Sequence, residues 1–444
     1  MSTTLGRNSF GQLKIVDVVP SSQNTETSQN SEPNIAVNPA NPSQVLISAF
    51  GRKTSNPVFL STDDGSSWSD FLDILTLDTS LAWSGTGTAY LAQLASSDQS
   101  LIVKKSTNPG NGITFSDTGT SYAGKPDQPW VVANNIGGSD HIYVGFNDLN
   151  QAGKTASIRR STNGGTSFTN TVIEKSAPGL GQDGPAVRVA LSGSNVFAAF
   201  QRWDSLTAAN DAFGSVVVVK DTNSGGNGFT NLNVTAATSQ TFPRGDLGSE
   251  RLGSDLSIAV DPGNANRLFL AYGLLSGSLP AVRVLTSTNG GVNWSPAFTT
   301  ATNTGLPALA IAQNGAVGLL YTRFGSGNLE THFLQTADGF DTISDLTLSS
   351  FTDGDPAPAF DPYIGDYQDL EAVGNNFYGA FSASNNTSQF PIQPTFVRDK
   401  SMLGNSVSYS IDPFFFSTQA VPEPATLTLA ALGAWLCRRR RHRG

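Results

Sequence analysis

The octapeptide Ser61-Thr62-Asp63-Asp64-Gly65-Ser66-Ser67-Trp68 returns as Ser161-Thr162-Asn163-Gly164-Gly165-Thr166-Ser167-Phe168 and as Ser287-Thr288-Asn289-Gly290-Gly291-Val292-Asn293-Trp294. Asp or Asn followed by Gly favours a turn whose central residues need positive φ, the strongest short-range hairpin signal. The Ser hydroxyl and the Asp or Asn side chain can bond the turn's own backbone, and the closing aromatic can pack on the neighbouring unit. Looser copies stand at Ser106-Thr107-Asn108-Pro109-Gly110 with Phe115, at Asp221-Thr222-Asn223 with Phe229, and at Gln335-Thr336-Ala337-Asp338-Gly339-Phe340. Successive starts are 45, 55, 60, 66 and 48 residues apart, a repeat with loop insertions.

Upstream of the turns lie pairs of strand-like runs. Asn34-Ile35-Ala36-Val37 precedes Val45-Leu46-Ile47-Ser48, and Ile258-Ala259-Val260 precedes Leu268-Phe269-Leu270-Ala271. Trp130-Val131-Val132 with Ile142-Tyr143-Val144, and Val187-Arg188-Val189 with Val196-Phe197-Ala198, follow the same plan. Four short strands per unit make the blade of a β-propeller. A last unit lacks the turn but keeps strand-like runs at 363–367, 370–373, 377–381 and 394–397, which brings the count to seven. The expectation is an all-β propeller of seven four-stranded blades, or six if the second or fourth unit is an insertion. The run Gln12-Leu13-Lys14-Ile15-Val16 is a candidate ring-closing strand, with 409–416 competing for that place; closure removes free sheet edges.

Composition fits this reading. Of 444 residues only 14% are charged, while 45 are Gly, poor material for exposed helices and good material for strands and turns. With 38% hydrophobic residues, 26 of them Phe, the chain can bury a large core. The net charge is −9, but five of the 26 basic residues sit in the last seven positions, leaving 21 against 35 acidic groups in the body. Such a body is unsuited to nucleic acid, whose phosphates need clustered Lys and Arg. The single Cys, Cys437, excludes a disulfide framework and a cysteine zinc site.

The turn motif resembles the Asp-box, or BNR repeat, of the sialidase-like propellers, with Asn for Asp in two of the three close copies. On that resemblance residues 31–417 form the propeller, residues 1–30 an N-terminal segment holding the candidate closing strand, and residues 418–444 a separate tail. The resemblance implies that Ser61, Asp63, Gly65, Trp68, Ser161, Asn163, Gly165, Phe168, Ser287, Asn289, Gly291 and Trp294 are structural and lie away from any active centre.

The tail reads Val421-Pro422-Glu423-Pro424, an uncharged run from Ala425 to Cys437, then Arg438, Arg439, Arg440 and Arg441. Thirteen residues are short for a bilayer-spanning helix, which takes roughly 20, but a short hydrophobic helix with its arginines held cytoplasmic fits transient membrane engagement. This order of parts resembles the PEP-CTERM sorting signal, which implies an exosortase-type processing partner and export to the cell envelope, surface or extracellular matrix. Met1 to Phe10 carries no apolar stretch of the kind a secretory signal uses.

A sialidase binds its substrate's carboxylate with three arginines and uses a Tyr/Glu pair with an Asp acid. Candidate arginines are Arg52, Arg188, Arg202, Arg251, Arg283 and Arg323, and the Tyr/Glu grouping is Tyr363, Tyr367 and Glu371. The family's Arg-Ile-Pro is missing, because the first unit reads Glu32-Pro33-Asn34-Ile35. The residues therefore favour a non-catalytic module for exopolysaccharide or another surface glycan, or a structural one; the alternative is an exo-sialidase-like glycoside hydrolase. From 351 to 371 six acidic residues occur without a basic one. Asp353, Asp355, Asp361 and Asp366 among them read first as a solvated loop and second as oxygen ligands for calcium; no other cofactor is expected. The segment Arg244 to Arg251 reads as a polar loop over one face of the ring.

Overall fold

The computed structural model describes residues 12–23, 28–51, 56–74, 76–95, 99–112, 114–175, 179–182, 184–251, 255–397 and 409–420. The sorting tail, with Pro422, Glu423, Pro424 and its arginines, and the helix expected there lie outside them, as does Arg52. Among the described residues no helix is long and apolar enough to cross a membrane.

The chain is a seven-bladed β-propeller of four-stranded antiparallel sheets. From the channel outward, blade 1 is Ser31–Val37, Val45–Phe50, Asn56–Ser61 and Ser69–Ile74, and blade 2 is Thr76–Trp83, Ala89–Ala95, Leu101–Ser106 and Ser116–Asp117. Blade 3 is Pro126–Ile136, Ser139–Asp148, Ala156–Ser161 and Thr169–Val172, and blade 4 is Arg188–Ser192, Asn195–Leu206, Ala212–Asp221 and Leu232–Phe242. Blade 5 is Leu256–Asp261, Asn264–Ser276, Leu279–Ser287 and Ser295–Thr299, and blade 6 is Thr304–Ile311, Val317–Gly325, Asn328–Thr336 and Ser344–Thr352. A small hairpin, Asp246–Leu247 with Glu250–Arg251, stands between blades 4 and 5.

Blade 7 corrects the expected closure. Its strands are Asp369–Val373, Asn376–Ser384, Ile411–Gln419 and, outermost, Lys14–Asp17. The two C- and N-terminal runs do not compete: they pair with each other, Val16 opposite Phe415. Residues 394–397 form no blade strand; Phe396 makes an isolated bridge to Val16 and packs on the cluster beside it, and Thr395 Oγ1 donates to the Ile15 carbonyl at 3.0 Å. Residues 363–367 form no strand either. Gly365 there has φ +116, and a Cβ on it would stand 2.3 Å from the Glu32 nitrogen, so this backbone is wedged against the start of blade 1.

Apolar residues alternate along the strands so that each pair of neighbouring blades encloses its own cluster. The one across the closure joins Val16, Ile35, Phe59 and Phe415, all under 1% exposed.

The repeated turns follow the third strand of their blades and share one network. Ser61 Oγ accepts from Gly65 N at 2.9 Å, Asp63 Oδ1 accepts from Ser67 N at 2.8 Å, and Trp68 Nε1 donates to the Gly65 carbonyl at 3.1 Å. Ser161 with Gly165, Asn163 with Ser167, Ser287 with Gly291, and Asn289 with Asn293 repeat these bonds at 2.9 to 3.0 Å. Asn serves as well as Asp because the amide oxygen supplies the same acceptor. In blade 4 Asp221 does both jobs, accepting from Gly225 N and Phe229 N. Phe168 closes the blade 3 copy under the Arg159 guanidinium, 4.6 Å away.

Candidate functional site

Each inner strand runs from one mouth of the channel toward the face that carries the turns. At the far mouth, four inner strands break register, between Ser31 and Asn34, Thr76 and Thr79, Asp127 and Trp130, and Gly305 and Ala308. Such bulges bend a strand and re-aim its side chains. Glu32 and Gln128 sit at two of them with φ of 52° and 49°, left-handed backbone that non-glycine residues avoid.

The bulged residues Glu32, Asp78, Asp127 and Gln128 line a cavity of about 440 Å³ at that mouth, on the face opposite the turns. Phe50 and Trp203 give it apolar wall, and Arg244, Arg251, Asp361 and Asp366 come from the connections before blades 5 and 7. Arg251 holds Asp366 with Nε to Oδ1 at 3.0 Å and a second bond from Nη2, and lies 3.8 Å from Asp361. Asp366 N donates to Glu32 at 3.3 Å, and Gln128 N donates to Asp78 at 3.2 Å. The Arg244 guanidinium lies 5.1 Å from the centre of the Trp203 ring.

Crowding of carboxyls in a low-dielectric wall favours their neutral form. Burial, then the charges of Asp127 and Asp366, push Asp78 up to about 7. Burial, then Asp366 and Asp78, raise Glu32 well above the carboxylate range. The hairpin's Glu250 is raised by burial too, although it accepts from Ile364 N and Gly365 N. The cavity thus holds a carboxyl, Asp78, that exchanges its proton near neutral pH, as a general acid must.

The residues singled out in the sequence do not all meet there. Arg188 is buried deeper in the channel: Nη2 bonds both oxygens of Asp255 at 2.8 and 2.9 Å, and its guanidinium lies 3.4 Å over Trp130 and 5.5 Å from Tyr367. Arg202 pairs with Asp204 at 3.0 Å, and Arg323 lies 3.8 Å from Glu330. Tyr363 donates to the Pro356 carbonyl and Tyr367 to that of Thr79. Burial raises both phenols, which keeps them protonated and poor nucleophiles. Glu371 accepts from Val37 N at 2.8 Å and is pushed up to about 8 by burial and by Asp369. Of the acidic run, Asp353 accepts from Ser249 N and Oγ, while Asp361 and Asp366 join the cavity. Among the described residues no group of three His, Cys, Asp or Glu is placed to hold a metal ion. Glu32, Phe50, Asp78, Asp127, Gln128 and Trp203 line the cavity without having been singled out in the sequence as site residues, whereas Arg244 and Arg251 belong to the segment read as a polar loop over one face.

Two measurements check this geometry. Glu32, Asp78, Glu250, Asp255, Asp369 and Glu371 all keep protons in the folded chain at pH values where the unfolded chain has lost them. Their contribution is full below about pH 4 and is lost as pH rises through the folded values, which reach about 8 for Glu371. The thermal midpoint is therefore expected to fall between pH 5 and pH 8, on the order of 5 °C; a rise would contradict the raised carboxyls. Gly365→Ala must displace the Glu32 backbone, since the added Cβ has no room. It is expected to cost at least about 2 kcal/mol by chemical unfolding, against under 0.5 kcal/mol at the open Gly374, taking Gly374→Asn as the control because Asn tolerates positive φ.

The family described as the PEP-CTERM protein-sorting motif matches residues 420–441. The motif marks the protein for exosortase-type processing and places it outside the cytoplasm, at the cell envelope or surface. No curated protein matches the chain in sequence. Among solved structures, the chain is similar to a GH74 enzyme of Niastella koreensis at 15% identity, over 82% of this chain and 64% of that one, with a TM-score of 0.42. It is also similar to the GH74 xyloglucanase of Xanthomonas campestris at 15% identity, over 78% of this chain and 50% of that one, with a TM-score of 0.44. An alpha-L-arabinofuranosidase of Fusarium graminearum matches at 10% identity, over 77% of this chain and 98% of that one, with a TM-score of 0.48. The chain spans 64% and 50% of the first two, and at these identities the likeness is one of fold alone. The protein is a seven-bladed β-propeller with a PEP-CTERM sorting motif.

Proposed function

We propose that the protein processes a surface glycan, holding one sugar residue in the cavity at the channel mouth and protonating the glycosidic oxygen from Asp78. The observation that carries this reading is a carboxyl pushed up to about 7 in the wall of a cavity shared with further carboxyls. A general acid works best with its pKa near the working pH, and glycoside hydrolysis pairs such an acid with a second carboxylate. Asp127, whose charge helps raise Asp78, is the candidate for that second role.

A sialoside is a poor fit. The family's Arg-Ile-Pro is missing from the first unit, and of the two guanidiniums that line the cavity, Arg251 is already bonded to Asp366, so no set of three arginines awaits a substrate carboxylate. The apolar tail segment engages the membrane until an exosortase-type enzyme acts on it.

Binding without turnover is the second reading, favoured by the Arg251 fork that neutralises Asp366. Incubating the full chain with envelope polysaccharide and measuring new reducing ends separates the two. Release that Asp78→Asn removes supports hydrolysis; retention of the polysaccharide without release identifies a binding module; neither release nor retention sinks both.

A further inference from the structure

Blade 7 has no repeated turn, and the tail leaves the propeller from the place such a turn would occupy. In blades 1, 3 and 5 a turn residue just past the third strand donates from its backbone to a carbonyl at the bend between the first two strands. These bonds run from Asp64 N to Ser43, from Gly164 N to Asp140 and from Gly290 N to Asn266, at 2.9 to 3.0 Å. In blade 7 the same bond is made by Ala420, directly after the third strand Ile411–Gln419: its N–H donates to the Asn375 carbonyl at 2.8 Å. Ala420 is buried. The chain thus departs from a fixed point on the turn face, opposite the cavity.

Ala425, where the uncharged run to Cys437 begins, follows five residues later. Even at full extension it stands within about 18 Å of Ala420. The cavity mouth lies at the other end of the blade, and the nine residues of Ile411–Gln419 rise about 30 Å. A tether of this length is too short to pass along the blade and let the ring turn over.

We infer that the tail holds the propeller with its turn face against the membrane surface and its cavity mouth turned away from it. With Ala425 at the edge of the hydrocarbon core, much of the tether is taken up by a headgroup layer roughly 6 Å thick. The turn face suits that layer. Its tips expose hydroxyls and amides, among them Ser66, Thr166 and Asn293, which can donate to lipid phosphates, and Val292 projects from the blade 5 turn. This inference rests on the membrane engagement of the tail proposed above and adds the direction in which the cavity faces.

Fluorophores at Val292→Cys and Leu279→Cys, both exposed and at opposite ends of blade 5, test it in the full chain carrying Cys437→Ser, so that each variant holds one thiol. The chain is bound to phosphatidylcholine vesicles in which some headgroups carry a nitroxide quencher. The label at position 292 is expected to be quenched several-fold more than the label at 279. Equal quenching, as a ring lying on its edge would give, or stronger quenching at 279 overturns the orientation and leaves the tail reading standing. Inserting about a dozen Gly and Ser residues between Ala420 and Val421 gives the tether a reach beyond the height of the ring, and is expected to erase the difference; a difference that persists overturns the tether as its cause. Failure of the chain, with or without Cys437, to float with the vesicles overturns the tail reading and the orientation together.

Discussion

Asp78→Asn is expected to lower release of reducing ends by at least about 100-fold, the lower bound of what a positioned general acid contributes. Asn has nearly the same shape and keeps an oxygen to accept from Gln128 N, so the cavity and its affinity for sugar are expected to persist. The effect should therefore fall on kcat and leave KM within a few-fold. The basic limb of the wild-type pH profile should turn near 7, where burial and the charges of Asp127 and Asp366 hold the Asp78 proton, and that limb should disappear in the variant's residual activity. A variant that loses affinity and rate together would assign Asp78 to binding.

Val16→Asp is expected to be the most damaging single change to the fold. Val16 is fully buried, pairs with Phe415, and packs into the cluster with Ile35, Val37 and Phe59 where the two ends of the ring meet. The substitution removes apolar burial and leaves a carboxylate without a partner, together on the order of 4 kcal/mol. The strand also covers the edge of Ile411–Gln419, so its release exposes a row of unpaired backbone groups. The thermal midpoint should fall by roughly 5 °C, and aggregation should rise. Val16→Ala separates the two causes, since it loses packing without introducing charge and should cost about half as much. A midpoint unchanged by Val16→Asp would mean that the outer strand does not close the ring.

The turns were legible because each is largely a local object: within eight consecutive residues the bonds between Ser61 and Gly65, Asp63 and Ser67, and Gly65 and Trp68 have both their ends. The inner and second strands were legible for a similar reason, as alternating runs beside short loops. Closure was legible only in part. The runs around Val16 and Phe415 both read as strands, but their pairing joins positions about 400 residues apart, which no local pattern encodes. The segment 363–367 misled because Tyr363, Ile364 and Tyr367 are apolar enough for a strand; their burial comes from filling the space above the channel beside Glu32 and Leu306.

The cavity was the least legible part, because it is assembled from eight separate stretches of chain. Arg251 stood out as an arginine and Asp366 as part of an acidic run, yet their ion pair spans 115 positions. Glu32 drew notice only for not being an arginine. A signal was present nonetheless: Glu32, Asp78 and Asp127 each fall at the second or third residue of the inner strand of blades 1, 2 and 3. Laying the repeat units over one another by their inner strands would have placed three acids at one mouth of the channel.

A crystal structure of the full chain soaked with oligosaccharides cut from envelope polysaccharide tests the location of the site most directly. Sugar density in the cavity among Asp78, Asp127 and Trp203, on the face opposite the turns, is the predicted result. An empty cavity with the sugar seated on the turn face or along a blade edge would contradict it.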